Sequence, residues 1–181
     1  MSSFKKVLLI AGGVGINPLM SMLSFISEGT SVEHTRPQYE KPLEVHMLYS
    51  VKDPGASGLS SILFLDRITN IFHDRKRVGN SVGKGSSFQL FLTSSAGNAT
   101  AGDKPDDVVT GSNGIEIPIQ RRRITADDIA LLLGKDGGGK DSSIVYVCGV
   151  PSMTDEFVEA LTSPAGAIRM DHSRVLFEKW W

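Results

Sequence analysis

The chain has 181 residues, 40% of them hydrophobic and 22% charged. That length suits one domain, and the apolar content is enough for a packed core, which excludes wholesale disorder. The near balance of 19 basic and 20 acidic residues argues against a nucleic-acid protein driven by a basic field. No apolar run approaches a membrane span, and a single cysteine excludes a disulfide framework or a multi-cysteine metal site. A secretory leader is not expected either: the apolar run after Met1–Lys6 is short and is broken by Gly12 and Gly13. The expected compartment is cytoplasmic or mitochondrial.

In chain order, Lys6–Ala11 is an apolar, branched run that predicts a strand buried on both faces. The turn Gly12-Gly13-Val14-Gly15-Ile16 follows. Asn17 is the expected N-cap of the next helix, with Pro18 at its first position. Leu19, Met22, Leu23 and Ile26 repeat at helical spacing, and Gly29 marks the expected stop. Leu43–Ser50 predicts a second strand. Leu59, Ile62, Leu65, Ile68 and Phe72 suit a helix from about Leu59 to His73. Phe88–Thr93 predicts a third strand. Two polar stretches, near 74–87 and 94–119, read as insertions or loops.

Beyond them, Thr125-Ala126-Asp127-Asp128 resembles a capping box, with Ile124 placed to staple onto Ile129. Ile144–Cys148 predicts another buried strand and is followed by the turn Gly149-Val150-Pro151-Ser152. Met153, Phe157, Val158 and Leu161 share a helix face, and Ser173–Phe177 predicts a last strand. Strands alternating with helices predict an α/β fold: a Rossmann-like, five-stranded parallel sheet with helices on both faces. Ligands of such sheets bind outside the carboxyl ends of the strands, which is where both glycine turns fall.

The first turn carries the sharpest chemistry. Glycines let backbone approach a pyrophosphate closely, and the helix behind them offers free amides and a positive dipole end. A tight strand–helix turn without any ligand would use the same residues. The ordinary dehydrogenase fingerprint has Gly where Pro18 stands and an acid ending the second strand, where this chain has Leu48-Tyr49-Ser50.

Gly-Gly-x-Gly-x-x-Pro after the first strand resembles the nucleotide-binding domain of the ferredoxin–NADP⁺ reductase superfamily. Four more segments match it in the same order. They are Leu48-Tyr49-Ser50, Thr93-Ser94-Ser95, the Cys-Gly-x-x-x-Met run from Cys148 to Met153, and the ending Phe177-Glu178-Lys179-Trp180-Trp181. That ending is most similar to the oxidoreductase NAD-binding domain-containing branch.

The resemblance implies a flavin-dependent oxidoreductase that transfers hydride between NAD(P)H and FAD. It implies that Gly12, Gly13, Val14, Gly15, Asn17 and Pro18 hold the pyrophosphate. Tyr49, Ser50, Thr93 and Ser94 would border the nucleotide further along. Cys148, Gly149, Val150, Pro151 and Met153 would border the nicotinamide, with Cys148 as a catalytic, non-covalent positioner. A lone cysteine also reads as a small buried hydrophobe. Trp180 and Trp181 read either as an aromatic tail over the flavin or as rings closing the sheet edge.

No cation stands in Thr93-Ser94-Ser95-Ala96-Gly97 to pair a 2′-phosphate, so the expected cofactor is NAD rather than NADP. Arg121-Arg122-Arg123 would serve that phosphate only by folding back, and such a run more commonly forms a solvated face. The run Gly134–Asp141 approaches a phosphate-binding loop but ends in Asp and precedes a strand, so it is set aside. His34, His46, His73 and His172 lack metal-ligand spacing.

The flavin-binding barrel the resemblance implies is expected to be absent, because the first strand begins almost at once. The expected domain is therefore one NAD(P)-binding unit over 1–181, working with a flavin-binding domain or subunit and an electron acceptor. A nucleotide-binding module without turnover, or a truncated product, is the alternative, with an unrelated transferase behind it.

Overall fold

The computed structural model describes residues 4–28, 43–73, 82–94, 107–134 and 139–180. The elements are β1 (Lys6–Gly12), α1 (Ile16–Ser27), β2 (Glu44–Lys52), α2 (Leu65–His73), β3 (Ser87–Thr93), β4 (Asp107–Thr110), β5 (Glu116–Gln120), α3 (Ala126–Leu133), β6 (Ser143–Gly149), α4 (Pro151–Thr162) and β7 (Val175–Lys179). They form one sheet in the order β4-β5-β3-β2-β1-β6-β7. All neighbours are parallel except the β4–β5 hairpin. The five expected parallel strands are present as β1, β2, β3, β6 and β7, within an α/β fold of Rossmann-like type.

Strand periodicity sorts the core into two layers. Val7, Leu9 and Ala11 of β1 face α1 and α2, packing with Leu19, Leu23, Ile68 and Phe72. Leu8 and Ile10 face the other side, packing with Ile129 and Leu133 of α3 and Phe157 and Leu161 of α4. β1 is buried on both faces, as its unbroken apolar run requires.

Several expectations are corrected. Two further strands lie inside the polar stretch 94–119. Ile117 and Ile119 of β5 point into the core while Glu116 and Pro118 point out, a period-two signal hidden in polar surroundings. The stretch is therefore not a structureless insertion throughout. Residues 95–106, and 74–81 of the other stretch, lie outside the described residues. The helix expected from Leu59 begins only at Leu65: Gly55–Ser57 and Leu59–Ser61 are short 3-10 turns, and Phe64 takes a left-handed φ of 60°. Ile62 reaches the core without a helix, so its apolar spacing is met by a tighter path. The N-cap of α1 is Gly15 rather than Asn17, and Ile16 rather than Pro18 opens the helix. Asn17 sits in the first turn, its side-chain amide donating to the Val14 carbonyl at 2.7 Å. Gly29 is outside the described residues. The last strand runs Val175–Lys179, two residues later than expected, because His172–Arg174 forms a 3-10 turn.

Candidate functional site

A cleft of about 650 Å³ lies along the carboxyl edge of the sheet. Eight of the residues singled out by sequence meet there: Gly12, Gly13, Val14, Ser50, Thr93, Val150, Met153 and Trp180. Sequence reasoning did not assign Lys52, Ser152, Glu156 and Thr125 to the site, all of which also line it. Lys52 is the last residue of β2, two beyond Ser50 on the same face, and that alternation is the signal that would have found it.

The three glycines of the first turn do different jobs. Gly13 has φ +53° and nothing within 4 Å of where a Cβ would be, so its backbone is bare toward open space. Gly15 is the reverse. A Cβ there would stand 2.2 Å from the Cys148 carbonyl oxygen and 2.8 Å from the Gly149 nitrogen. Its absence brings the start of α1 down onto the end of β6. Gly12 and Gly149 face each other across the β1–β6 pair, and the Met153 thioether occupies the space their side chains would take. Its Sδ lies 2.7 Å from the Cβ position of Gly12, and its Cε 2.5 Å from that of Gly149. The turn after β1 and the Cys-Gly-x-x-x-Met run are thus one packed unit. Gly15 and Gly149 belong to it as supports rather than lining.

Helix α1 presents its N-terminus at this edge with no side-chain cap and no acid in its first turn. The Ile16 amide turns back onto the Gly13 and Val14 carbonyls and Pro18 has no N–H, so what faces an anion here is the turn from Gly13 and the positive end of the helix dipole. Asn17 and Pro18 lie in that turn, outside the cleft lining.

Cys148 is fully buried and faces the α1 layer rather than the cleft. Burial and the nearby Glu178 carboxylate push its thiol up to about 11, against a smaller opposing effect from Trp180. At neutral pH it is a thiol, not a thiolate nucleophile. The Trp180 backbone amide donates to the Gly149 carbonyl at 2.9 Å, one residue after Cys148. Trp180 therefore stands as a wall at the β6–β7 end, while Trp181 lies outside the described residues.

Tyr49 is wholly buried, with its phenol raised to about 12 by desolvation. It lines a second, smaller cavity of about 410 Å³ that shares Gly13, Val14 and Lys52 with the first. Ser94 ends the described segment after β3 and is exposed; Pro151 is the first residue of α4, outside the lining. Among the described residues no group of three or more His, Cys, Asp or Glu side chains is placed to hold a metal ion. No helix among them is long and apolar enough to cross a membrane.

No family model matches the chain. Oxidoreductase NAD-binding domain-containing protein 1 of Bos taurus is 29% identical over 177 residues, 98% of this chain and 46% of that protein. The Danio rerio protein of the same name is 28% identical over 97% of the chain and 52% of its own length. The Homo sapiens protein is 27% identical over 98% and 46%. These proteins are homologues of the chain. The chain spans about half the length of these relatives. The matched region covers nearly the whole chain.

Proposed function

We propose that the chain is the NAD(P)H-binding part of a flavin-dependent oxidoreductase. One observation carries the reading: a bare, left-handed glycine, Gly13, at the uncapped N-terminus of α1, opening into a cleft long enough for more than a phosphate. A side chain at Gly13 would intrude into the space a ligand phosphate needs, so the residues fit a dinucleotide. The names of the relatives, which describe an oxidoreductase NAD-binding domain, support the same reading.

The turn amides and the α1 dipole take the pyrophosphate. Met153 and Trp180 bound the other end of the cleft, where the nicotinamide lies. Cys148 precedes Gly149, whose carbonyl holds the Trp180 backbone, and the residue is a positioning group in that sense. Hydride transfer between NAD(P)H and FAD is the chemistry of the bound cofactors, with the protein supplying orientation. A flavin domain, in the same polypeptide or as a separate subunit, provides the flavin.

Titration of the purified protein with NADH and NADPH tests the binding. Diaphorase activity with added FAD and a dye acceptor then tests turnover. Binding of neither nucleotide by folded protein overturns the reading; binding without turnover leaves the nucleotide module and removes the self-sufficient enzyme.

A further inference from the structure

The β4–β5 hairpin is an addition to the five parallel strands, and few bonds hold it there. β5 pairs with β3 only at Leu90↔Ile119 and Phe91↔Gln120. Ile117 and Ile119 are buried, while β4 is largely exposed. Arg121, just past β5, adds its pair with Asp53 at 2.6 Å. At the far end, the turn Gly111–Ile115 leans on α2 through Asn113. The Asn113 amide nitrogen donates to the Thr69 hydroxyl at 2.8 Å, the Asn70 side-chain oxygen at 3.0 Å and the Asp66 carbonyl at 3.4 Å. Its Oδ1 accepts from the Ile115 amide at 3.2 Å. Ser112 beside it donates to the Asp66 carboxylate.

The residue after Asn113 is Gly114, and this is the one Asn-Gly step in the chain. Both residues are exposed, so water reaches them. Gly114 has no Cβ to shield its backbone nitrogen and stands at a left-handed φ of 77°. That nitrogen is placed to attack the Asn113 side-chain carbonyl carbon. The new C–N bond closes a cyclic imide, and the bond to Nδ2 breaks with ammonia leaving. Water then opens the imide at either carbonyl, giving aspartate or isoaspartate, with no oxidant or reductant involved. In the seated turn the Asn113 amide is held at both ends. The Gly114 N–H is also spent on the Gly111 carbonyl at 3.0 Å. Ring closure therefore follows a local opening of the turn.

We propose that Asn113 is a self-modification site, and that its deamidation turns the clasp of the hairpin on α2 into a repulsion that loosens β4 and β5 from the sheet edge. The proposal stands apart from the nucleotide reading. A group that donates becomes a carboxylate that only accepts. It then faces the Asp66 carbonyl and a Thr69 hydroxyl whose proton is already given to that carbonyl at 3.0 Å. The Asp66 carboxylate, held by Ser112 one residue away, adds like charge. Isoaspartate also inserts a carbon into the main chain of the turn. That displaces the Gly111 amide from the Ile115 carbonyl, to which it donates at 2.9 Å.

The test ages the purified chain in mildly alkaline buffer, with and without guanidinium chloride, and maps its peptides by mass spectrometry. The Asn113 peptide should gain the mass of oxygen in place of NH, and part of it should be methylated by an isoaspartate methyltransferase. Asp136-Gly137 forms the same imide without a change of mass, so the two steps are told apart. The reaction should run several-fold faster in denaturant, and Gly114→Ala should slow it there. Asn113→Asp stands for the product. Hydrogen exchange at Ile117 and Ile119 should be about tenfold faster in it than in the wild type. It should also be faster than in Asn113→Ala, which loses the same donors without adding charge. Exchange in β1 should stay at the wild-type level. An unchanged Asn113 mass in denaturant overturns the modification site. Exchange in Asn113→Asp no faster than in Asn113→Ala overturns the repulsion. An equal rise in β1 overturns the local release.

Discussion

Two helix N-termini border the same cleft, and they are finished in opposite ways. α3 begins with a complete capping box: the Thr125 hydroxyl accepts from the Asp128 amide while the Asp128 carboxylate accepts from the Thr125 amide at 2.8 Å. Two acids, Asp127 and Asp128, sit in its first turn. α1 begins at a glycine with no side-chain cap and no acid. The free amides of a helix start must be satisfied by something. α3 satisfies its own with side chains; at α1 the Ile16 amide bonds back to the Gly13–Gly15 turn and Pro18 has no N–H, so no side chain closes that end and the turn faces the cleft. The difference separates a residue pattern kept for folding from one that, under the proposed function, is kept for binding.

The largest effect is expected where the open end is fastened to the sheet. Gly15→Ala drives a Cβ into the Cys148 backbone, which has no flexible end to move aside. The strands or the start of α1 must shift, at a cost of about 3 kcal/mol or more. For a domain of this size that lowers Tm by about 6–12 °C, measurable by thermal denaturation. A loss under about 1 kcal/mol would show that α1 is not pinned to β6 through this contact.

Removing the closed end costs less. Asp128→Ala removes the carboxylate half of the α3 capping box and the two bonds to Arg122, a loss of about 2 kcal/mol. The same group sets a pH dependence. Burial raises its pKa, but the hydrogen bonds from Arg122 and Thr125 outweigh that and hold the carboxyl below its usual value. A depressed folded-state pKa means that this stability is fully present above the unfolded value, near 4, and is lost as pH falls through the folded one. Denaturant unfolding between about pH 5 and 2 should therefore show the wild type losing its margin over Asp128→Ala. A margin that stays constant over that range contradicts the assignment.

The capped end was legible in the sequence and the open end only in part, for a physical reason. A capping box is local: Thr125, Asp128, Ile124 and Ile129 interact within five residues, so their spacing encodes the structure. The α1 start depends on a partner far along the chain. Asn17 looked like a cap because Asn and Pro commonly stand there, yet Gly15 occupies the cap since Cys148 leaves no room for a side chain. Pairing of Gly12 with Gly149 under Met153 was likewise invisible to spacing, though both turns were found. β5 was missed because Ile117 and Ile119 are embedded among polar residues. Lys52 and Arg123 are brought to one cleft by strand order, which no local pattern contains.

Gly13→Ala sharpens the comparison by separating folding from binding at one position. The added Cβ meets nothing, so the cost to stability is the left-handed φ alone, about 1 kcal/mol. Under the proposed function the methyl projects where the nucleotide phosphates approach, and affinity for NADH or NADPH should fall about tenfold or more. Calorimetry beside a denaturation curve on the same sample reads both. An affinity loss no larger than the stability loss would mean the glycine serves the turn and not a ligand.

The smallest effect is expected from giving α1 what α3 already has. Asn17 is exposed in the first turn of α1, and Asn17→Asp places a negative charge at the positive end of the helix. The dipole interaction is worth about 0.3–1 kcal/mol. It is offset in part by the lost side-chain bond to the Val14 carbonyl, so stability should change by less than about 0.5 kcal/mol. A bound dinucleotide would meet that same charge as repulsion, and affinity should weaken several-fold, more at low salt than at high salt. The two measurements should move independently, because the acid satisfies the helix at the expense of the anion it was left open to receive. Unchanged nucleotide affinity at low salt would show that the uncapped end of α1 is not where the phosphates bind.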